Sequence, residues 1–370
     1  MTQREDNKTK GRAQSQPPPA GPEKGSSKPP ASWRRWSPRA KRRLVFYPTL
    51  VALGALSLVW MLSMPKESFR GPLPPLDDEQ SKLSALLRRD VALLAGDIGE
   101  RNMSRSGSLD QAWGRLEGEF GEAGYVPKSL PFTVNGKRVA NLEAVREGSG
   151  APQEIVVVGA HYDTAAGAPG ADDNASGVAV LLELARAFEP DSRTHPPRRT
   201  IRFVAFVNEE PPHFQNNSMG SLHYAKACRE RGDNIVAMLS LESLGYYRDE
   251  PGSQKYPPLV SWFFPDRADF VAFVGNLSSR SLLRESLGAF RTAARFPSEG
   301  AALPAFVAGV GWSDQWAFWQ FDYPAVMVTD TAPFRNPNYH TPNDKPETLD
   351  YDRLARVTAG LIAVVGQLAR

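Results

Sequence analysis

Cysteine is almost absent from this chain. Cys228 is the single cysteine among 370 residues, which excludes an internal disulfide and any disulfide framework. It lies in a charged stretch with helical character, residues 225–230, where a lone cysteine is typical of a structural residue rather than a nucleophile. The compartment stays open, because exported proteins do not require disulfides.

Acidic residues are scarce at the N-terminus. Residues 1–43 carry twelve Lys or Arg but three Asp or Glu, whereas the whole chain has a formal charge of +3. The rest of the chain is therefore mildly acidic, which argues against a nucleic-acid-binding core, and we expect no nucleic-acid partner. Residues 1–32 are rich in Pro, Gly, Ser, Lys and Gln without an apolar pattern, so we predict a disordered, basic, Pro-rich tail over residues 1–43.

A stretch without charged residues follows this tail, at residues 44–64. At about 1.5 Å per residue it is long enough for the roughly 30 Å hydrocarbon core of a bilayer. The stronger basic flank is N-terminal, which predicts a cytoplasmic tail and an exported body. We therefore predict a single-pass membrane protein with a transmembrane helix at 44–64, a Pro-rich linker at 65–77, and an extracytoplasmic domain at 78–370 that is periplasmic or extracellular.

Strand-like and helix-like patterns alternate through most of the predicted domain. A continuous apolar run at residues 154–160 predicts a strand buried on both faces. Apolar residues recur with helical spacing at residues 178–185. Further strands are predicted at residues 201–207, 235–241 and 324–328. Strands separated by helices indicate an α/β fold, with a mostly parallel sheet covered by helices on both sides.

Two local signals fix further elements. Asn135-Gly136 lies between alternating apolar and polar residues, which predicts a β-hairpin over residues 131–146. Leu354, Val357 and Leu361 begin the apolar face of a C-terminal helix, with Asp350 as its N-cap.

Carboxylates and imidazoles follow the predicted strands where each strand ends. The carboxyl ends of strands in an open α/β sheet form the site, so we expect these side chains to converge. They are His161, Asp163, Asp172, Asp173, Glu209, Glu210, Glu242 and, near the chain end, His340. No Lys or Arg is among them, so such a cluster needs a cation. Mixed His, Asp and Glu ligands without thiolate suit zinc, and a bridging carboxylate favours two ions.

Several motifs around these residues resemble those of a known family. They are GAHYD at residues 159–163, PGADDNASG at 169–177, NEE at 208–210, and HTP at 340–342 followed by Asp344. Together they resemble the zinc aminopeptidase family that includes bacterial leucyl aminopeptidases, glutamate carboxypeptidases and glutaminyl cyclases, peptidase family M28. The resemblance covers about residue 80 to the C-terminus. It implies a three-layer α/β/α sandwich of the zinc exopeptidase, phosphorylase/hydrolase-like type.

The resemblance also implies a role for each residue. His161 would bind one zinc ion and be oriented by Asp163 through its other ring nitrogen. Asp173 would bridge two zinc ions. The remaining implied roles are Glu242 as the last ligand of the first ion, Glu210 and His340 as ligands of the second, and Glu209 as general base. In the family the bridging aspartate precedes a cis peptide bond, here Asp173–Asn174. The implied activity is aminopeptidase hydrolysis of peptide substrates.

Other members of the family leave alternatives open. A glutaminyl-cyclase-like acyltransferase would hold one zinc ion. A carboxypeptidase would need a cation near the site, for which Arg335 is the candidate close in sequence to His340. A non-catalytic ectodomain is disfavoured, because such relatives lose ligands or the general base and this chain keeps all six. Gln315 stands where many relatives have His, and we expect it to line the site without binding metal. The sequence does not indicate an oligomeric state.

Overall fold

The computed structural model describes residues 38–190, 196–258 and 260–370. The larger of the two units into which the chain divides is Leu56–Arg370. Most of the predicted tail lies outside the described residues. A helix begins at Pro38, within the range of that tail, and the predicted disorder of the tail stays a prediction.

The predicted membrane span falls largely on helix α1 (Pro38–Leu62). Over the described ranges, no helix combines the length and the apolar character that crossing a bilayer requires. The predicted transmembrane helix at residues 44–64 is therefore not supported. The two residues that follow Leu62 contact the domain: the Ser63 carbonyl accepts a hydrogen bond from Arg280, and Met64 packs against the hydrophobic core. The predicted orientation, with a cytoplasmic tail and an exported domain, stays a prediction.

The described residues form one eight-stranded sheet with its covering helices. The strands are β1 (Lys128–Val134), β2 (Lys137–Arg146), β3 (Ala151–His161), β4 (Arg199–Phe206), β5 (Asn234–Glu242), β6 (Val271–Gly275), β7 (Ser298–Ala302) and β8 (Ala325–Thr329). The remaining helices are α2 (Asp78–Val91), α3 (Ser106–Glu122), α4 (Gly177–Ala187), α5 (Gly220–Arg231), α6 (Arg280–Ala293), α7 (Gln315–Trp319), α8 (Ala332–Arg335) and α9 (Tyr351–Leu368).

The strands lie in the order β1-β2-β4-β3-β5-β8-β6-β7. Strands β4, β3, β5 and β8 are parallel to their neighbours in this central group. Strand β2 pairs antiparallel with β4, and β6 pairs antiparallel with β8. The predicted mostly parallel sheet is thus confirmed, and the sequence patterns missed β6 and β7.

Helices cover both faces of the sheet. Successive side chains of a strand point to opposite faces, and along β3 Val156 and Val158 belong to one hydrophobic cluster while Ile155 and Val157 belong to another. The first cluster includes residues of α2, α4, α6 and α9, and the second includes residues of α5 and α7. The buried apolar run of β3 is therefore packed between two helical layers.

The local turn and cap signals are confirmed. Asn135 and Gly136 both have positive φ, 50° and 78°, as the two-residue turn between β1 and β2 requires. The Asp350 carboxylate accepts a hydrogen bond from the Arg353 amide at the start of α9, as an N-cap does. The predicted linker is irregular but lies on the domain, because Leu73 packs against the core.

Candidate metal centre

Neighbouring strands end in the side chains that the sequence singled out. His161 is the last residue of β3 and Glu242 is the last residue of β5. Glu209 and Glu210 follow the end of β4. Because β3 lies between β4 and β5, these carboxyl ends meet at one edge of the sheet. Asp173 comes from the irregular turn Ala171–Ser176 just before α4.

Three side chains form a first group around the His161 imidazole. Its Nε2 lies 3.2 Å from Asp173 Oδ1 and 3.2 Å from Glu242 Oε2. The His161 side chain is completely buried. One ligand atom from each of the three residues lies within 4.8 Å of the others, as the ligands of one metal ion do.

A second group shares Asp173 with the first. His340 Nε2 lies 3.0 Å from Asp173 Oδ2 and 3.0 Å from Glu210 Oε2. Asp173 thus turns one carboxylate oxygen to each group, which is the arrangement of a bridging ligand. The Asp173–Asn174 peptide bond is cis, as the resemblance implied. All five predicted ligands are brought together, and their binding of metal stays a prediction.

The residues present fit metal ions. Within the described part of the chain, buried atoms that lack a hydrogen-bond partner include His161 Nε2, Asp173 Oδ1, Glu210 Oε1 and His340 Nε2. Burial raises the pKa of Glu210 to about 8. Burial opposes protonation of His340, but Asp173 and Glu210 outweigh it and raise the imidazole pKa to about 10. The clustered negative charges favour protonation of these groups. A bound metal ion would supply the positive charge that protons supply in its absence.

Glu209 lies beside the first group without belonging to it. Its Oε2 is 3.9 Å from His161 Nε2, and neither group includes it. The residue is 6% exposed. Burial raises the pKa of its carboxyl well above the ordinary value, and the nearby Glu242 and Glu210 add to that effect. A carboxylate of raised proton affinity next to a metal group has the position and the chemistry of a general base.

Asp163 contacts the other ring nitrogen of His161, where the prediction placed it, and its side chain has a further contact. His161 Nδ1 lies 3.2 Å from the Asp163 backbone carbonyl, whereas the Asp163 carboxylate is 3.6 Å away. The carboxylate instead accepts hydrogen bonds from the backbone amides of Glu209 and Glu210, both at 3.1 Å. Asp163 therefore orients the ring through its carbonyl and fixes the Glu209–Glu210 turn through its side chain.

Asp344 holds the backbone of Asp173 in the same way. Its two carboxylate oxygens accept the amides of Asp172, at 2.9 Å, and Asp173, at 3.1 Å. Asp172 in turn accepts hydrogen bonds from the Gly245 amide and the Asn336 side chain. The sequence identifies Asp344 only as part of a motif, because nothing in a single sequence shows which distant amides donate to a carboxylate.

We predict that Asp344→Ala destabilises the fold by about 2–5 kcal/mol, because it leaves two buried amides without an acceptor. Denaturant unfolding of the metal-free protein measures this cost. Asp110→Ala on the exposed face of α3 is the matched control and should change stability by less than about 0.5 kcal/mol. Equal effects of the two substitutions would contradict the role of Asp344.

Arg101 is a buried cation near the site that the sequence patterns did not predict. Arg101 is 0% exposed, and its guanidinium donates only to backbone carbonyls. The acceptors are the carbonyls of Leu94, Gly99, Tyr162, Pro169 and Gly170. Burial lowers the pKa of Arg101 to about 10, against the opposing pull of nearby carboxylates. It therefore keeps its charge at neutral pH and ties together the loops that carry His161 and Asp173.

Glu242 is held by two hydroxyl groups. Its Oε1 accepts the Ser243 hydroxyl at 3.0 Å, and its Oε2 accepts the Ser313 hydroxyl at 2.7 Å. Gln315, two residues after Ser313, is fully buried, and its side-chain amide donates to the Val310 carbonyl at 3.0 Å. It joins neither group and does not line the pocket beside Glu242, so its predicted place in the lining of the site stays a prediction.

An apolar pocket opens beside Glu242 and Tyr339. It encloses about 840 Å³ including its open mouth. Its walls are largely aromatic and aliphatic, and include Tyr256, Val260, Phe264, Val307 and Phe334. Among the residues that the structure describes, no Lys or Arg lines it. The Tyr339 ring stacks on His340, with ring centres 3.9 Å apart, so one wall of the pocket also orients a candidate ligand.

Arg335 is not placed to bind a substrate carboxylate. Its Nε donates to Gln254 Oε1 at 2.8 Å, and its Nη1 donates to the Phe270 carbonyl at 2.9 Å. The guanidinium also lies over the Phe270 ring, 4.6 Å from its centre. It is buried and is not a lining residue of the pocket, although its Nη2 has no hydrogen-bond partner among the described residues.

Comparisons of the sequence with known proteins agree with this geometry. The model of "Peptidase family M28" matches residues 141–365. The chain is 35% identical to an uncharacterised protein of Escherichia coli, YfbL, over 75% of this chain and 86% of that protein. It is 28% identical to a probable zinc metalloprotease of Pyrenophora teres, over 66% of this chain and 54% of that protein.

Solved structures share the fold at low sequence identity. The LapA aminopeptidase of Legionella pneumophila matches with a TM-score of 0.58 and 19% identity, over 81% of this chain and 77% of that one. A glutaminyl cyclase of Fimbriiglobus ruber matches with a TM-score of 0.56 and 18% identity, over 82% and 99%. These similarities concern the fold. The family match, which spans both candidate metal groups, carries the assignment: the chain belongs to peptidase family M28.

Proposed function

We propose that this protein is a zinc-dependent aminopeptidase that releases N-terminal residues from peptides. The observation that carries the proposal is the pair of groups that share Asp173, with Glu209 beside them and an apolar pocket opening at Glu242. Each feature has a place in such a reaction: metal binding, proton transfer and recognition of a terminal side chain.

Two zinc ions fit the two groups. One would be held by His161, Asp173 and Glu242, and the other by Asp173, Glu210 and His340. His, Asp and Glu donors without thiolate suit zinc, and a relative is described as a probable zinc metalloprotease. Bound zinc supplies a water of lowered pKa and polarises a carbonyl.

Glu209 moves the proton in this proposal. Its carboxylate accepts a proton from the attacking water and returns it to the amine that leaves. Burial favours the protonated form of Glu209, which makes the carboxylate a stronger base than an exposed glutamate. The Asp163 carboxylate fixes the backbone of Glu209 at 3.1 Å, so the base is held in place before substrate binds.

The side chains at the pocket favour a free N-terminus over a free C-terminus. Glu242, which ends β5, lines the pocket, and a substrate carboxylate would find no cationic side chain among its described lining residues. A carboxypeptidase needs a cation there, and among the described residues no Lys or Arg lines the pocket. The glutaminyl cyclase reaction is the second candidate, because a cyclase shares this fold.

A single peptide experiment separates these reactions. We expect the zinc-loaded full-length chain to remove the first residue from a peptide with a free N-terminus, and to leave the N-acetylated peptide intact. C-terminal amidation should make no difference. Mass spectrometry of the products and metal analysis of the same sample provide the two readouts. Removal of the C-terminal residue would indicate a carboxypeptidase, and loss of ammonia from an N-terminal Gln peptide without cleavage would indicate a cyclase.

A further inference from the structure

A row of paired residues crosses the sheet from the candidate metal centre to its far edge. Glu242 of β5 pairs with Thr329 of β8, Thr329 pairs with Ala272 of β6, and Ala272 pairs with Glu299 of β7. Directly paired residues of neighbouring strands point to the same face of a sheet. All four residues line the apolar pocket, so the pocket follows this row.

The row ends in a second carboxylate. Strands lie about 4.8 Å apart, so three strand spacings place the α-carbons of Glu242 and Glu299 roughly 14 Å apart. The next residue confirms which way Glu299 points. A side chain at Gly300 would meet Leu287 of α6 at 2.5 Å, so that position faces the helices, and alternation turns Glu299 to the opposite, pocket face.

The Glu299 carboxylate is only partly neutralised by the protein. Arg291 Nη2 lies 3.9 Å away, beyond hydrogen-bonding distance. That guanidinium donates instead to the carbonyls of Pro65, Lys66 and Ser298. Ser68 hydrogen-bonds to the carboxylate, and Arg70 and Asp269 act on it at longer range with opposite signs. The Glu299 side chain is 23% exposed, so it can still accept a charged donor from the pocket.

We propose that this pocket selects an N-terminal lysine or arginine, whose cation pairs with Glu299. The proposal deepens the aminopeptidase function and rests on it. Lysine and arginine carry a long apolar stem and a charged tip, and the pocket offers apolar walls along the row with a carboxylate at its end. A leucine side chain packs against the apolar walls but offers no cation to pair with Glu299.

Lysine and norleucine form the matched pair of substrates, because they differ only in the terminal ammonium group. We expect the zinc-loaded full-length chain to hydrolyse the lysyl p-nitroanilide with a kcat/KM about 10- to 100-fold higher than the norleucyl one, as a charge-assisted hydrogen bond allows. If the wild-type chain prefers the norleucyl substrate, or if the two kcat/KM values are equal, the proposal is overturned and no variant is needed to show it.

Glu299→Gln tests the residue itself. The substitution keeps the shape and removes the charge, so it should reduce the lysine preference to less than about threefold while norleucine hydrolysis is unchanged. Glu285→Gln, on the exposed face of α6, removes the same charge outside the pocket and should leave the preference intact. A lysine preference that survives in Glu299→Gln assigns it to another group and overturns the role of Glu299.

A binding measurement separates this proposal from the aminopeptidase activity. Titration calorimetry with L-lysinamide and L-norleucinamide should show the same preference, and the same loss in Glu299→Gln. If no aminoacyl substrate is cleaved, the proposed activity fails, but the lysinamide preference still supports the cation pocket. Equal binding of the two amides to the wild-type chain rules the pocket out.

Discussion

Glu209→Gln is expected to lower turnover about 10²- to 10⁴-fold, the usual contribution of a general base. The amide cannot accept the proton of the attacking water, and Glu209 belongs to neither metal group. Metal content should therefore stay unchanged, and KM should change little. The measurements are kcat and KM on an aminoacyl substrate, together with metal analysis of the same preparation.

The adjacent residue provides the matched control. Glu210→Gln makes the same chemical change one position along, but it removes a charged ligand 3.0 Å from His340 Nε2. We expect Glu210→Gln to lose the metal of the second group, while Glu209→Gln keeps it. Full activity in Glu209→Gln, or loss of metal from it, would exclude Glu209 as general base. Either result would favour the alternative of a glutaminyl-cyclase-like enzyme with one zinc ion.

Asp173→Ala is expected to remove both metal ions and abolish activity. Asp173 is the residue that the two groups share, and without it His161 and His340 each keep one carboxylate partner in their group. The folded protein then loses the stabilisation that metal binding provides, about 4 kcal/mol when free zinc is 1,000 times the dissociation constant. A lower melting temperature should accompany the loss of metal.

Treatment with a chelator shows whether the lower melting temperature of Asp173→Ala is caused by its loss of metal. The melting temperature of the wild-type chain should decrease when a chelator removes its metal. The melting temperature of Asp173→Ala should be the same with and without chelator. Asp110→Ala, exposed on α3, should behave as the wild type does. Two bound ions in Asp173→Ala would show that Asp173 does not bridge, whatever its activity.

The sequence predicted the site better than it predicted the surroundings of the site. His161 and Glu242 could be found because each ends a strand whose apolar run is visible in one sequence. Arg101 could not, because its partners are backbone carbonyls up to 69 residues away. A lone arginine in an irregular segment carries no periodic signal, and its burial is decided by loops that fold over it.

Strand β7 was missed for a similar reason. Strand β7, Ser298–Ala302, is five residues long and consists of small and polar residues, so its pattern is not typical of a strand. Its place comes from pairing with β6, a contact between segments distant in the chain.

The order in which the chain is synthesised determines when the candidate metal centre can be complete. His161, Asp173, Glu209, Glu210 and Glu242 leave the ribosome well before His340 and Asp344. Until residue 344 has been synthesised, the second group lacks its imidazole, and the amides of Asp172 and Asp173 lack the carboxylate that accepts them. Helix α9, which packs against α2 near the start of the domain, is made later still. A nascent chain of this peptidase therefore carries an incomplete centre through most of its synthesis, and the centre is completed only when the last segments of the domain fold onto the first.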